Sequence, residues 1–130
     1  MIVTAVYYSM TLQAQVFLYG LLACILHESA HIIVATYLGV RVKKVGVTWK
    51  GIYIIRESGN PLQNLAITLA GPFTNLLSVG VVGLERYLGE GAFVFAFLSL
   101  LIGIFNLLPI PGSDGKRALG LLQTIVPASD

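Results

Sequence analysis

Residues 1–27, 29–40, 58–84 and 91–113 carry no Lys, Arg, Asp or Glu. A helix that crosses a bilayer needs about 20 mostly apolar residues at about 1.5 Å each. The charge-free runs therefore predict three spans, roughly 12–39, 61–84 and 91–108. Composition supports this, with 56% hydrophobic and 11% charged among 130 residues, against about a quarter charged in soluble domains. This composition argues against an ordinary soluble domain and excludes a disordered chain. The single cysteine, Cys24, rules out an internal disulfide and a four-cysteine zinc site. A net charge of +2 gives no argument for nucleic acid. The first run lacks a basic leading segment and outlasts a signal-peptide core, so it reads as a retained span. The expectation is one α-helical polytopic membrane domain over 1–130.

The charges that remain are unevenly placed. Arg41, Lys43, Lys44, Lys50 and Arg56 outnumber Glu57 between the first two spans, and Lys116 and Arg117 follow the third. Two further crossings return the chain to the same side, so the basic loop 41–57 and the C-terminus share one face, which the positive-inside rule makes cytoplasmic. A multi-pass protein of the cell membrane is expected. Within 40–56, Val40, Val42, Val45, Val47 and Trp49 fall near alternation, Lys50-Gly51 offers a turn, and Ile52 to Ile55 resume. This predicts a small β-hairpin at the membrane surface. The opening Ile2 to Tyr8 suits either an edge strand or the first turns of a longer helix.

The two histidines, His27 and His31, lie four residues apart inside the first run, with Glu28 directly after the first. On a helix, positions i and i+4 share a face, so both imidazoles can reach one metal ion, while Glu28 can approach a metal-bound water. Zinc suits nitrogen and oxygen ligands, and a catalytic zinc takes three protein ligands and keeps one position for water. The competing reading is a pair of hydrogen-bonded polar residues in a helix interface. Against it, Glu28 is the only acid in the first 56 residues, and an ionisable group inside a span is costly enough to suggest function.

A third ligand could come from Cys24 or Asp114. Asp114 fits better, since a carboxylate stays ionised beside a cation and a residue from another segment clamps two helices around it; a lone cysteine is commonly just buried. Asp114 belongs to the stretch from Asn106 to Gly115, where Pro109, Pro111, Gly112 and Gly115 break the third helix. Irregular backbone at membrane depth survives where it is buried in protein or lines a wet cavity. Asn106 could bond a substrate carbonyl or an oxyanion, or equally another helix. In the second span, Gly71-Pro72 with Asn75 four residues after Gly71 suits close helix packing; Asn75 as a substrate or metal-shell contact is the other reading.

Taken in order, HExxH at His27–His31, Gly71-Pro72-x-x-Asn75, and Asn106-x-x-Pro109-x-Pro111-x-x-Asp114-Gly115 resemble the three-helix core of the site-2 protease family of intramembrane zinc metalloproteases. The resemblance runs from His27 to Gly115. It implies one Zn2+ per chain held by His27, His31 and Asp114, Glu28 as general base, and secondary roles for Asn75 and Asn106. It further implies cleavage of single-span membrane proteins within or near the bilayer, with residues 45–55 as an edge that pairs with an extended substrate. The partners are a single-span substrate and the lipid bilayer, with no nucleic acid and with homo-oligomerisation left open. Ser113 stands where a larger apolar residue is usual in that family. The expectation is a bare catalytic core, without the extra flanking helices or regulatory domain of many members.

The expected reaction is peptide hydrolysis: Glu28 takes a proton from the attacking water and returns it to the leaving amine. The alternative is a catalytically silent membrane scaffold or pseudoprotease that keeps a structural metal site, and its mark would be loss of Glu28 or of a ligand. A metal transporter is disfavoured, because three spans around one closed site offer no second ion-binding layer.

Overall fold

A computed structural model describes residues 1–127; Ala128, Ser129 and Asp130, the end of the domain expected over 1–130, lie outside the described residues. The first element is one helix, α1, Ile2–Tyr37, of 36 residues, about 54 Å long at 1.5 Å per residue. Ile2 to Tyr8 are its opening turns. A helix satisfies its own backbone groups, whereas a strand needs a partner edge, and the two described strands pair with each other. Past Tyr37 the N–H of Val40 reaches back to the Ala35 carbonyl at 2.8 Å, turning the chain toward the hairpin.

That hairpin lies within the expected 40–56. Strands β1, Val42–Thr48, and β2, Gly51–Arg56, run antiparallel, with Thr48 opposite Gly51 and Val45 opposite Ile54. Trp49 and Lys50 form the turn, and Gly51 opens β2 rather than closing the turn. Most of β1 is exposed, while Ile52, Tyr53 and Ile54 of β2 are partly covered.

Helix α2, Pro61–Ser78, begins at a reciprocal cap. The Asn60 side chain accepts from the Gln63 N–H, and the Gln63 side chain accepts from the Asn60 N–H, both at 2.9 Å, with Pro61 at the first helical position. Gln63 also donates to the Leu38 carbonyl at 3.1 Å, tying the start of α2 to the end of α1. After α2 the chain tightens into 3-10 turns over Val79–Leu84, then a short α3, Glu85–Leu88, and α4, Gly91–Leu107. Residues 108–113 are irregular. A last helix, α5, Asp114–Ile125, stands where the sequence suggested only a short connection.

Helices α1, α2 and α4 pack on one another in all three pairings, and α5 packs on α2 and α4. Their mutual faces are small: Ala23, Ala30, Ala35, Gly71, Ala96, Ser99 and Gly103 are buried. The large apolar side chains point outward, among them Phe17, Ile33, Phe73, Leu77, Phe97 and Phe105. Water would penalise so much exposed apolar surface. Small residues inside and large ones outside is the arrangement an apolar solvent favours. Two helical segments, Ile2–Tyr37 and Pro61–Leu88, are long and apolar enough to cross a membrane. The third expected span is apolar but forms only 17 helical residues, Gly91–Leu107, because Pro109 and Pro111 cut it short.

Candidate metal centre

His27 and His31 lie on the face of α1 turned toward α2, and both are buried. Their Nε2 atoms are 3.2 Å apart. Asp114 is the first residue of α5, and its Oδ2 lies 3.0 Å from Nε2 of His27 and 3.3 Å from Nε2 of His31. Three ligand-type atoms thus form a nearly equilateral triangle. A tetrahedral zinc with bonds of about 2.0–2.1 Å holds its ligand atoms about 3.3 Å apart, so the triangle has the dimensions of one face of such a site. The tautomer of one histidine is set locally: His31 donates its Nδ1–H to the Ile67 carbonyl at 2.6 Å, so its neutral form presents a lone pair at Nε2. Lone pairs and an anionic oxygen aimed at one another repel unless a cation or proton lies among them. The donor set, two imidazoles and a carboxylate, therefore fits zinc.

Four local features accompany this convergence. Gly71 of α2 lies against both rings: a Cβ there would collide with His31 Nε2 and would stand 2.6 Å from His27 Nε2. The glycine of the Gly-Pro-x-x-Asn segment is thus the space the imidazoles occupy. Pro72 removes the N–H that would have bonded the Thr68 carbonyl, and Thr68 lines the cavity over the site. At the other wall, Ser113 caps α5. Its hydroxyl accepts from the Lys116 N–H at 3.1 Å and donates toward the carbonyls of Leu108 and Ile110, at 2.6 and 2.8 Å. The departure from the family pattern at position 113 thus fixes where Asp114 begins its helix. Gly115 is needed beside it, since a Cβ there would collide with the Leu107 carbonyl.

Above the triangle is a cavity of about 240 Å³. Glu28, half-buried, lines it together with His27, His31 and Asp114, and so does Asn106. One N–H of the Asn106 amide is held by the Ile102 carbonyl at 2.9 Å, leaving the other for a second partner. Asn75 does not line the cavity. It is fully buried one turn beyond Gly71, and neither amide atom has a hydrogen-bond partner among the described residues; the same is true of Ser99 Oγ and His27 Nδ1. Cys24 is exposed on α1 and stands outside the three-residue cluster. Burial works to raise the Asp114 carboxyl, but the hydrogen bonds and charge of His27 and His31 outweigh it and hold the group well below the ordinary carboxylate range.

Sequence reasoning missed four contributors: the Ile67 carbonyl, the Ser113 cap, and two arginines, Arg56 and Arg117, at the mouth of the cavity. Ser113 followed by Asp114 is a helix-start signal that was there to be read, and it would have put Arg117 one turn from the Asp114 carboxylate. Nothing in the residue pattern points to the Ile67 carbonyl.

No family model matches the chain. Among curated proteins it is similar to "Putative zinc metalloprotease Rip3" of Mycobacterium tuberculosis, 36% identical over 114 residues, covering 75% of this chain and 28% of that protein. It is also similar to "Putative zinc metalloprotease sll0528" of Synechocystis, 30% identical with 72% of this chain and 27% of that protein covered. Stage IV sporulation protein FB of Bacillus subtilis is 31% identical, with 78% and 38% covered. The chain thus spans well under half the length of the curated relatives it matches. On three motifs in order, the site that unites their residues, and these relatives, the chain belongs to the site-2 protease family.

Proposed function

We propose that this chain is the catalytic core of an intramembrane zinc endopeptidase that hydrolyses peptide bonds of single-span membrane proteins within or near the bilayer. The observation that carries the reading is the triangle of His27 Nε2, His31 Nε2 and Asp114 Oδ2, with sides of 3.0–3.3 Å, opening on a cavity that Glu28 shares. Bound zinc supplies Lewis acidity toward a scissile carbonyl and makes water a nucleophile near neutral pH. His27, His31 and Asp114 would hold it. Glu28 accepts the proton of the attacking water and passes it to the departing amine nitrogen, so the group ends the cycle as it began. Asn106, through its free amide N–H, steadies the carbonyl oxygen as negative charge grows on it. Asn75 supports helix packing from behind the ligands and does not touch substrate.

The substrate must arrive unwound, because a helical carbonyl is already hydrogen-bonded; helix-breaking residues near the cleavage point should favour the reaction. The surrounding features fit a membrane setting: outward-facing large apolar residues, a multi-pass path through helices α1, α2 and α4, and a basic hairpin on the side we assign to the cytoplasm.

The test is zinc content together with cleavage of single-span reporters by purified protein. Wild type should bind one zinc and cut. Glu28→Gln should keep zinc and stop cutting, and Asp114→Ala should lose both. A wild type that binds zinc and cuts nothing, with Glu28→Gln indistinguishable from it, would replace this reading with a metal-stabilised scaffold.

A further inference from the structure

Two guanidinium groups share the wall of the metal-site cavity. Arg56 is the last residue of β2, and Arg117 lies on α5 one turn after Asp114. Both also line a wider adjoining groove of about 670 Å³, bounded by β2, α2 and α5, so they stand where groove and cavity meet. Arg117 forms a long ion pair with Asp114, whereas Arg56 meets no acid within ion-pair distance among the described residues. Glu57 faces Lys43 at 4.0 Å, and Arg117 comes no closer to Asp114 Oδ1 than 3.8 Å, beyond hydrogen-bond reach. Arg56 spends one nitrogen, Nη1, on the Asn64 side chain at 2.8 Å and the Glu57 carbonyl at 3.0 Å. Burial, and then the charge of Arg117, hold the Arg56 guanidinium below its ordinary value. Two guanidinium-bearing residues at a site mouth, one of them without an acidic partner among the described residues, suit an incoming anion, and the guanidinium fork suits a carboxylate.

We infer that Arg56 and Arg117 form an acidic-residue subsite, and that the preferred substrate carries an Asp or Glu on the extended segment that enters the metal site along β2. This rests on the protease reading above. The course of β2 supports a peptide as the bearer of the anion. Ile52, Tyr53 and Ile54 line the same cavity and lead to Arg56, so a strand laid along this edge would bring one side chain to the arginine pair at a fixed register. The cations suited to lipid headgroups, Lys43, Lys44 and Lys50, lie on the exposed surface of the hairpin and line neither the cavity nor the groove.

The experiment uses single-span reporters that differ by one residue, Glu, Gln or Lys, scanned through the membrane-boundary segment, with zinc-loaded protein in phosphatidylcholine nanodiscs. Cleavage by wild type should prefer Glu over Gln at one position by about tenfold, the scale of a charge-assisted hydrogen bond. Arg117→Gln should erase that preference. Arg117→Glu should invert it, so that the Lys reporter is cut faster than the Glu reporter, an outcome that loss of packing cannot produce. Zinc content of each variant checks that Asp114 is undisturbed. Affinity of the Glu28→Gln protein for the same reporters reads the subsite without turnover. Tighter binding of Glu reporters with no cleavage by wild type would keep the subsite and sink the protease reading. Cleavage indifferent to Glu, Gln and Lys at every position would do the reverse. A preference that changes only when anionic lipid is added would assign the arginines to the bilayer and overturn the inference.

Discussion

Two sets of buried polar atoms occupy the same three-helix core, and they are treated in opposite ways. At one level His27, His31 and Asp114 face one another at 3.0–3.3 Å, and Nδ1 of His31 is anchored to the Ile67 carbonyl. Elsewhere in the core, Asn75 and Ser99 are fully buried with side-chain polar atoms that find no partner among the described residues. Orphaned buried polar groups cost roughly 1–3 kcal/mol each. The upper set is held in one arrangement by residues from three elements, whereas the lower is held by close packing of small neighbours alone. The difference teaches that this core places the three ligand-type atoms precisely while leaving other buried polar atoms unpaired, Nδ1 of His27 among them.

The largest effect should come from removing the carboxylate of the upper set. Asp114→Ala should abolish zinc retention and reporter cleavage together, read by metal analysis of purified protein; retained zinc would mean that Asp114 is not part of the set. Close behind, Gly71→Ala should displace both imidazoles without deleting any ligand, since its methyl group would overlap them. Zinc affinity is expected to fall by more than about tenfold while the fold survives. Glu28→Gln should lower cleavage by about 10²–10⁴-fold, the range for a general base, and leave zinc binding unchanged.

The zinc-free protein offers a pH test. The Asp114 carboxyl is held low in the folded state, so its contribution is fully present above the unfolded carboxylate value of about 3.9 and is lost as pH falls below it toward the lower folded value. Thermal stability of the wild type should therefore drop in strong acid through this group, and Asp114→Asn should flatten that part of the profile.

The smallest effect should come from the lower set. Asn75→Leu replaces two orphaned atoms with apolar volume and should be neutral or stabilising by up to about 2 kcal/mol, with zinc affinity unchanged. A tenfold loss of zinc affinity would instead tie the Asn75 amide to Nδ1 of His27, and the two sets would have to be treated as one.

Much of the upper set was legible in the residues. The four-residue spacing of His27 and His31 needs only a helix to bring the rings together, and the broken stretch before Asp114 signalled a turn near them. The β-hairpin was equally readable from alternation over 40–56. The orphaned state of Asn75 was not, because hydrogen bonding across helices depends on rotations that no local pattern encodes. Helix α5 was overlooked for a different reason. Attention to Pro109 and Pro111 as breakers hid Ser113 as a beginning, and with it the position of Arg117.

The placement of the histidines along α1 bears on how the reaction is supplied. They lie six and ten residues before its last residue, Tyr37, hence about 9 and 15 Å from that end at 1.5 Å per residue. Where α1 crosses a hydrocarbon core of about 30 Å, the metal level falls in the half nearer the hairpin. On the proposed reading each turnover would consume one molecule of solvent, and from that depth a hydrated passage would need to traverse only about half the membrane, leaving the opposite leaflet sealed.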